Sequence, residues 1–126
     1  VIQFRRTGKG CLSYLIISQN EAAVIDASIV SEAYEKYLLA EKAVLKFVSE
    51  THIHADHLSR SKQLAAKNNA PLFLPIPNKV SFTSEPITDA AIFQIGNISI
   101  KAIQTPGHTI ESISFLIDDK VLLTGD

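Results

Sequence analysis

Short apolar runs closed by turn-forming residues follow one another along nearly the whole chain, and this rhythm constrains the fold more than any other feature. Cys11 to Ile17 is apolar and partly β-branched, and Gln19-Asn20 separates it from a second run, Ala22 to Asp26. Runs of this length, bounded by Asn, Gly or Pro, read as strands rather than as helix faces. Val44 to Val48 and Leu72 to Leu74 repeat the pattern. Further on, Ile92–Ile95 and Ile98–Ile103 flank Gly96-Asn97, while Ile113–Ile117 and Val121–Leu123 flank Asp118-Asp119-Lys120. Both pairs have hairpin spacing, so the strands after Ile92 are expected to pair antiparallel. Two segments carry helical periodicity instead. Ser31 is read as the cap of a helix running through Lys42, with Ala33, Tyr37 and Leu38 on its apolar face. Leu58 to Asn68 is read as the second, stopped by Asn68-Asn69 and Pro71. Three prolines between Pro75 and Ala90 mark a surface excursion. The fold class expected is α/β, with a mixed sheet and helices on one face.

One domain is expected from 126 residues. Twelve basic against thirteen acidic residues leave a net charge of −1, which argues against the clustered cations that nucleic acid or an anionic membrane demands. No apolar run approaches the ~18 residues of a membrane span. Neither a secretory leader nor a second cysteine to pair with Cys11 is evident, so a reducing cytoplasm is the expected location. The chain contains no Met, and is therefore expected to be processed or cut from something longer.

All four histidines fall in two places, each just after a strand. His52, His54 and His57 lie in Thr51-His52-Ile53-His54-Ala55-Asp56-His57, and His108 lies in Thr105-Pro106-Gly107-His108-Thr109. Strand ends open into the crevices where α/β sheets place their sites. Imidazole is the commonest ligand of first-row metals, and carboxylates complete harder sites. His52 and His54, two residues apart in an extended turn, can grip one ion, with Asp56 and His57 facing a second position. The Pro106-Gly107 bend can bring His108 in from another strand. Asp126, in Thr124-Gly125-Asp126, offers a carboxylate at a third strand end. Other polar residues have plainer readings: Asp26 as a turn after its strand, Arg60 as a solvated helix residue, Cys11 as buried packing, and Glu35, Lys36, Glu41 and Lys42 as an exposed helix face.

His-x-His-x-Asp-His, Thr-Pro-Gly-His and Thr-Gly-Asp, in this order, resemble the metallo-β-lactamase superfamily over nearly the whole chain. The resemblance implies an αββα sandwich with metals at one edge between two sheets, and a domain spanning residues 1–126 that is incomplete at its C-terminus. It implies that His52, His54 and His108 hold a first metal, that Asp56 and His57 hold a second, and that Asp126 bridges both or serves one. In hydrolytic members Asp56 is also the catalytic residue that orients or deprotonates water.

The wording Thr-His-Ile-His-Ala-Asp-His-Leu-Ser, with Ala55, and Gly107-His108-Thr109 before Glu111-Ser112, is similar to persulfide dioxygenases and their rhodanese-fused relatives. That branch implies a single ferrous iron, Fe(2+), on His52, His108 and Asp126, oxidising a glutathione-type persulfide to sulfite. His54, Asp56 and His57 would then orient the ligands. The alternative is a glyoxalase-II-like hydrolase of thioesters using Zn(2+); a further one is a half-domain that binds metal without turnover. Arg60, Ile110 and Ala27 depart from the residues usual in relatives, where Gly, Pro and Pro stand. The expected partner is a small thiol, persulfide or thioester, with no nucleic acid and no membrane. Relatives continue well beyond Thr-Gly-Asp, so either a homodimer covering the exposed sheet face or a longer parent protein is expected.

Overall fold

The computed structural model describes residues 1–53, 58–76 and 81–126. Its elements run β1 (Ile2–Arg5), β2 (Leu12–Ser18), β3 (Glu21–Ile25), α1 (Ser31–Ala40), β4 (Val44–Ser49), α2 (Leu58–Lys67), β5 (Leu72–Leu74), β6 (Glu85–Pro86), β7 (Ile92–Ile95), β8 (Ile98–Gln104), β9 (Ile113–Ile117) and β10 (Val121–Leu123). They form two sheets: a six-stranded one in the order β1-β2-β3-β4-β5-β6 and a four-stranded one in the order β10-β9-β8-β7. β1, β2 and β3 pair antiparallel, and β3 to β6 pair parallel. The second sheet is antiparallel throughout, as the hairpin spacings predict.

Strand alternation sorts the apolar residues into two cores. Leu15, Val24, Leu45, Val48 and Leu72 face the helices, where Tyr34, Leu38 and Leu64 meet them. Ile16, Ala23, Ile25 and Phe47 face the second sheet and pack on Ile95, Ile100, Phe115 and Leu123. A register shift opposite Ala22 and Ala23 resets the phase of β4. Lys46 is the residue passed over; it stays exposed and pairs with Glu21 at 4.0 Å. Phe47 and Val48 then enter opposite cores. Phe47, Phe73 and Phe93 interlock between the sheets with ring centroids 4.6 to 5.7 Å apart. Both helices cover the outer face of the larger sheet, and among the described residues none covers the smaller one. This is a mixed α/β fold, the helix–sheet–sheet part of the expected sandwich.

Several local expectations change. The cap of α1 is Val30, in extended backbone and without a side-chain bond. Ser31 begins the helix, its hydroxyl meeting Lys67 at 3.1 Å. The helix stops at Ala40 because Lys42 turns left-handed (φ 50°). Cys11 is half-exposed rather than buried, since it lies on a hairpin beyond the sheet edge. β1 was not read as a strand. The excursion from Pro75 also contributes β6, with Ile87 buried between the sheets, because parallel pairing with β5 carries it inward. Pro77 to Val80 lie outside the described residues. No helix is long and apolar enough to cross a membrane among those described.

Candidate metal centre

Ile25, the last residue of β3, pairs with Ser49 at the end of β4, so both strands run out at one edge of the larger sheet. Asp26 follows in left-handed backbone (φ 55°) and is buried. That turn aims its carboxylate at the chain leaving β4. Oδ1 accepts the Thr51 N–H at 2.7 Å, and Oδ2 accepts the Thr51 hydroxyl at 2.9 Å. Having given its only proton to Asp26, Thr51 Oγ1 can only accept from His52 Nδ1, 3.0 Å away. The His52 ring is thereby fixed with its proton on Nδ1 and a lone pair on Nε2, as a metal ligand requires.

Glu50 closes this network from below. It is fully buried, receives the Ser61 hydroxyl and is hydrogen-bonded to Asp26. Burial first, and the Asp26 charge second, hold its carboxyl well above the ordinary glutamate range. Of the two carboxyls Glu50 is the one whose charged form burial disfavours, while Asp26 accepts both Thr51 donors. The Asp26 charge also helps burial raise the Tyr14 phenol. Sequence reasoning assigned Asp26 to a plain turn and passed over Glu50, Thr51 and Ser61. A polar Glu-Thr pair directly after an apolar strand was the available signal.

The second sheet supplies the other donors. His108 sits in the loop between β8 and β9, which Thr109 and Ser112 stitch together: their hydroxyls are 2.8 Å apart, and Ser112 Oγ accepts the Thr109 N–H at 3.2 Å. At the start of β9, the Ile113 N–H donates to the Thr51 carbonyl at 2.7 Å, joining the two sheets beside His52. Gly125 passes over the same threonine in left-handed backbone (φ 67°); a Cβ there would lie 2.6 Å from Thr51 Oγ1. Only glycine permits this approach, and it brings Asp126 to the rim.

His52, His108 and Asp126 each present one donor atom, all within 4.8 Å of one another. The His108 Nε2 to Asp126 Oδ2 distance is 3.8 Å, and the two imidazoles meet edge to face with centroids 4.9 Å apart. Two donors about 2.1 Å from one ion stand roughly 3 to 4.2 Å apart, so a small closure would seat a metal. His52 is buried and forms the floor of the site. The His108 side chain is about half in solvent and that of Asp126 more than half. The other three ligands expected from the sequence, His54, Asp56 (with its catalytic role) and His57, lie outside the described residues. Arg60 is half-buried rather than fully solvated.

Comparison with known proteins bears on the fold that carries these residues. The profile of the Metallo-beta-lactamase superfamily matches residues 6–126. The chain belongs to the metallo-β-lactamase superfamily. Among solved members, a metallo-beta-lactamase from Staphylococcus aureus subsp. aureus COL superposes with a TM-score of 0.82 at 31% identity, over 94% of this chain and 37% of that one. ETHE1 from Myxococcus xanthus gives 0.75 at 28% identity, over 94% and 53% of the respective chains. The hydroxyacylglutathione hydrolase of Francisella tularensis subsp. novicida (strain U112) is 28% identical over 90% of this chain and 45% of its own length. This superfamily chain thus spans less than half the length of the curated relatives it matches.

Proposed function

We propose that this chain carries the metal centre of a persulfide dioxygenase, in which a glutathione-type persulfide and O₂ yield sulfite and thiol. The balance is RSSH + O₂ + H₂O giving RSH, SO₃²⁻ and two protons. One observation carries the reading: two imidazoles and one carboxylate, from His52, His108 and Asp126, converge from three strand ends. Such a donor set, with its remaining positions open, suits non-haem ferrous iron. When bound, that ion supplies Lewis acidity and open positions for O₂ and a sulfur ligand. The protein's part is positional. Thr51 and Asp26 fix the His52 ring, the Thr109–Ser112 turn shapes the loop bearing His108, and Gly125 delivers Asp126. The exposed side of His108 and Asp126 leaves room for substrate.

A second reading, a zinc hydrolase of glutathione thioesters, has support in the likeness to the Francisella hydroxyacylglutathione hydrolase. Metal content separates the two, measured on protein purified anaerobically without an affinity metal. Close to one iron per chain, with sulfite formed from glutathione persulfide, is the expected result. Two zinc ions and thioester cleavage would replace it with the hydrolase. Little metal of any kind would leave a non-catalytic half-domain.

A further inference from the structure

The turn between β1 and β2 stands at the same sheet edge as the metal centre and is built from cations. Arg5, Arg6 and Lys9 fall within five residues, and the chain has no acidic residue before Glu21. The strand register locates this hairpin. Ile25 lies between Tyr14 on β2 and Ser49 on β4. The Arg6 N–H donates to the Cys11 carbonyl at 2.8 Å, three residues beyond Tyr14. His52 is three residues beyond Ser49. Cys11 and His52 thus lie beyond the same end of the larger sheet with β3 between their strands, and Arg5, opposite Leu12 on β1, stands one strand further out.

We propose that this hairpin binds the carboxylates of the thiol carrier, with Arg5 and Lys9 as the charged donors. The inference rests on the thiol-substrate reading above and is common to its persulfide and thioester forms. Arg5 and Lys9 are exposed, and neither has an ion pair among the described residues. Arg5, Arg6, Thr7, Gly8 and Gly10 line a cavity of about 500 Å³. Gly8 and Gly10 adopt φ of 81° and 72°, with no atom within 4 Å of where a Cβ would stand, so a ligand can approach the backbone itself. The other flank of the centre has the opposite sign: Asp89 and Glu111 line a cavity of about 270 Å³, and Glu111 Oε1 lies 3.5 Å from the Ile53 nitrogen. An anionic carrier is therefore directed to the hairpin. Three cations are too few to follow a polyphosphate backbone, but the exposed Arg5 and Lys9 suit the carboxylates of a small carrier.

The test is calorimetric titration of the iron-loaded chain with S-methylglutathione, which cannot react, over a range of salt concentrations. The double variant Arg5→Gln/Lys9→Gln should bind about tenfold more weakly, as the loss of two exposed charge pairs implies, with a flatter salt dependence. A neutral thioether of N-acetylcysteamine should bind both proteins alike. Equal affinity of the two proteins for S-methylglutathione, or no binding by the unaltered chain, would overturn the proposal. Both side chains are exposed, so circular dichroism and iron content should be unchanged; if the double variant fails to fold, Lys9→Glu alone should still show the weaker, salt-flattened binding. Salt-dependent binding without sulfite formation would leave this inference standing and remove the persulfide reading. Sulfite formation with equal affinities would do the reverse.

Discussion

The two halves of the candidate metal centre are built on different physical terms. His52 is buried, its ring held by Thr51, which Asp26 holds in turn, with Glu50 and Ser61 beneath. His108 and Asp126 are largely exposed and face each other across 3.8 Å. The first ligand is part of the folded core, so its geometry is as costly to disturb as the core itself. The other two lie where water competes for every contact, so they can shift to admit an ion and a substrate. The arrangement teaches that a site can set one donor by folding and leave the rest adjustable.

The comparison is broken most severely by Asp26→Ala. It strips the acceptor from two buried donors of Thr51 and places alanine in left-handed backbone. A loss of about 3–5 kcal/mol is expected, read from urea unfolding, together with loss of metal binding. Gly125→Ala sits at the boundary between the halves, where the new methyl would strike Thr51. Stability should fall by about 1–2 kcal/mol, and metal affinity by about 10–100-fold as Asp126 is displaced. His108→Ala sharpens the contrast at the small end. Unfolding free energy should stay within about 0.5 kcal/mol of the parent measured without metal, while metal content drops to background. A large destabilisation of metal-free His108→Ala would show that the exposed half is structural after all.

Much of the fold could be read because its signals are local. Gly96-Asn97 and Asp118-Asp119 announce their hairpins, and Asn69 ends α2 through its own left-handed backbone. What escaped has no local signal. β1 is four residues, half of them exposed, and takes its extended form from pairing with β2. β6 is an exposed Glu-Pro pair that becomes strand only beside β5. The convergence of His52, His108 and Asp126 was legible because imidazoles and carboxylates cluster conspicuously at strand ends. Their supports were not: Asp26 meets Thr51 through tertiary geometry, and the upward shift of the Glu50 carboxyl depends on burial that spacing cannot reveal.

Thr51 receives Asp26, Ile113 and Gly125, residues drawn from widely separated parts of the chain. Contacts of such long sequence separation form late, after the loops between them have closed. The donor atoms of His52, His108 and Asp126 therefore converge only once both sheets have docked. In a refolding experiment, metal capture should trail the recovery of sheet structure, so the ion would act as a clock for the last step of assembly rather than as a seed for the first.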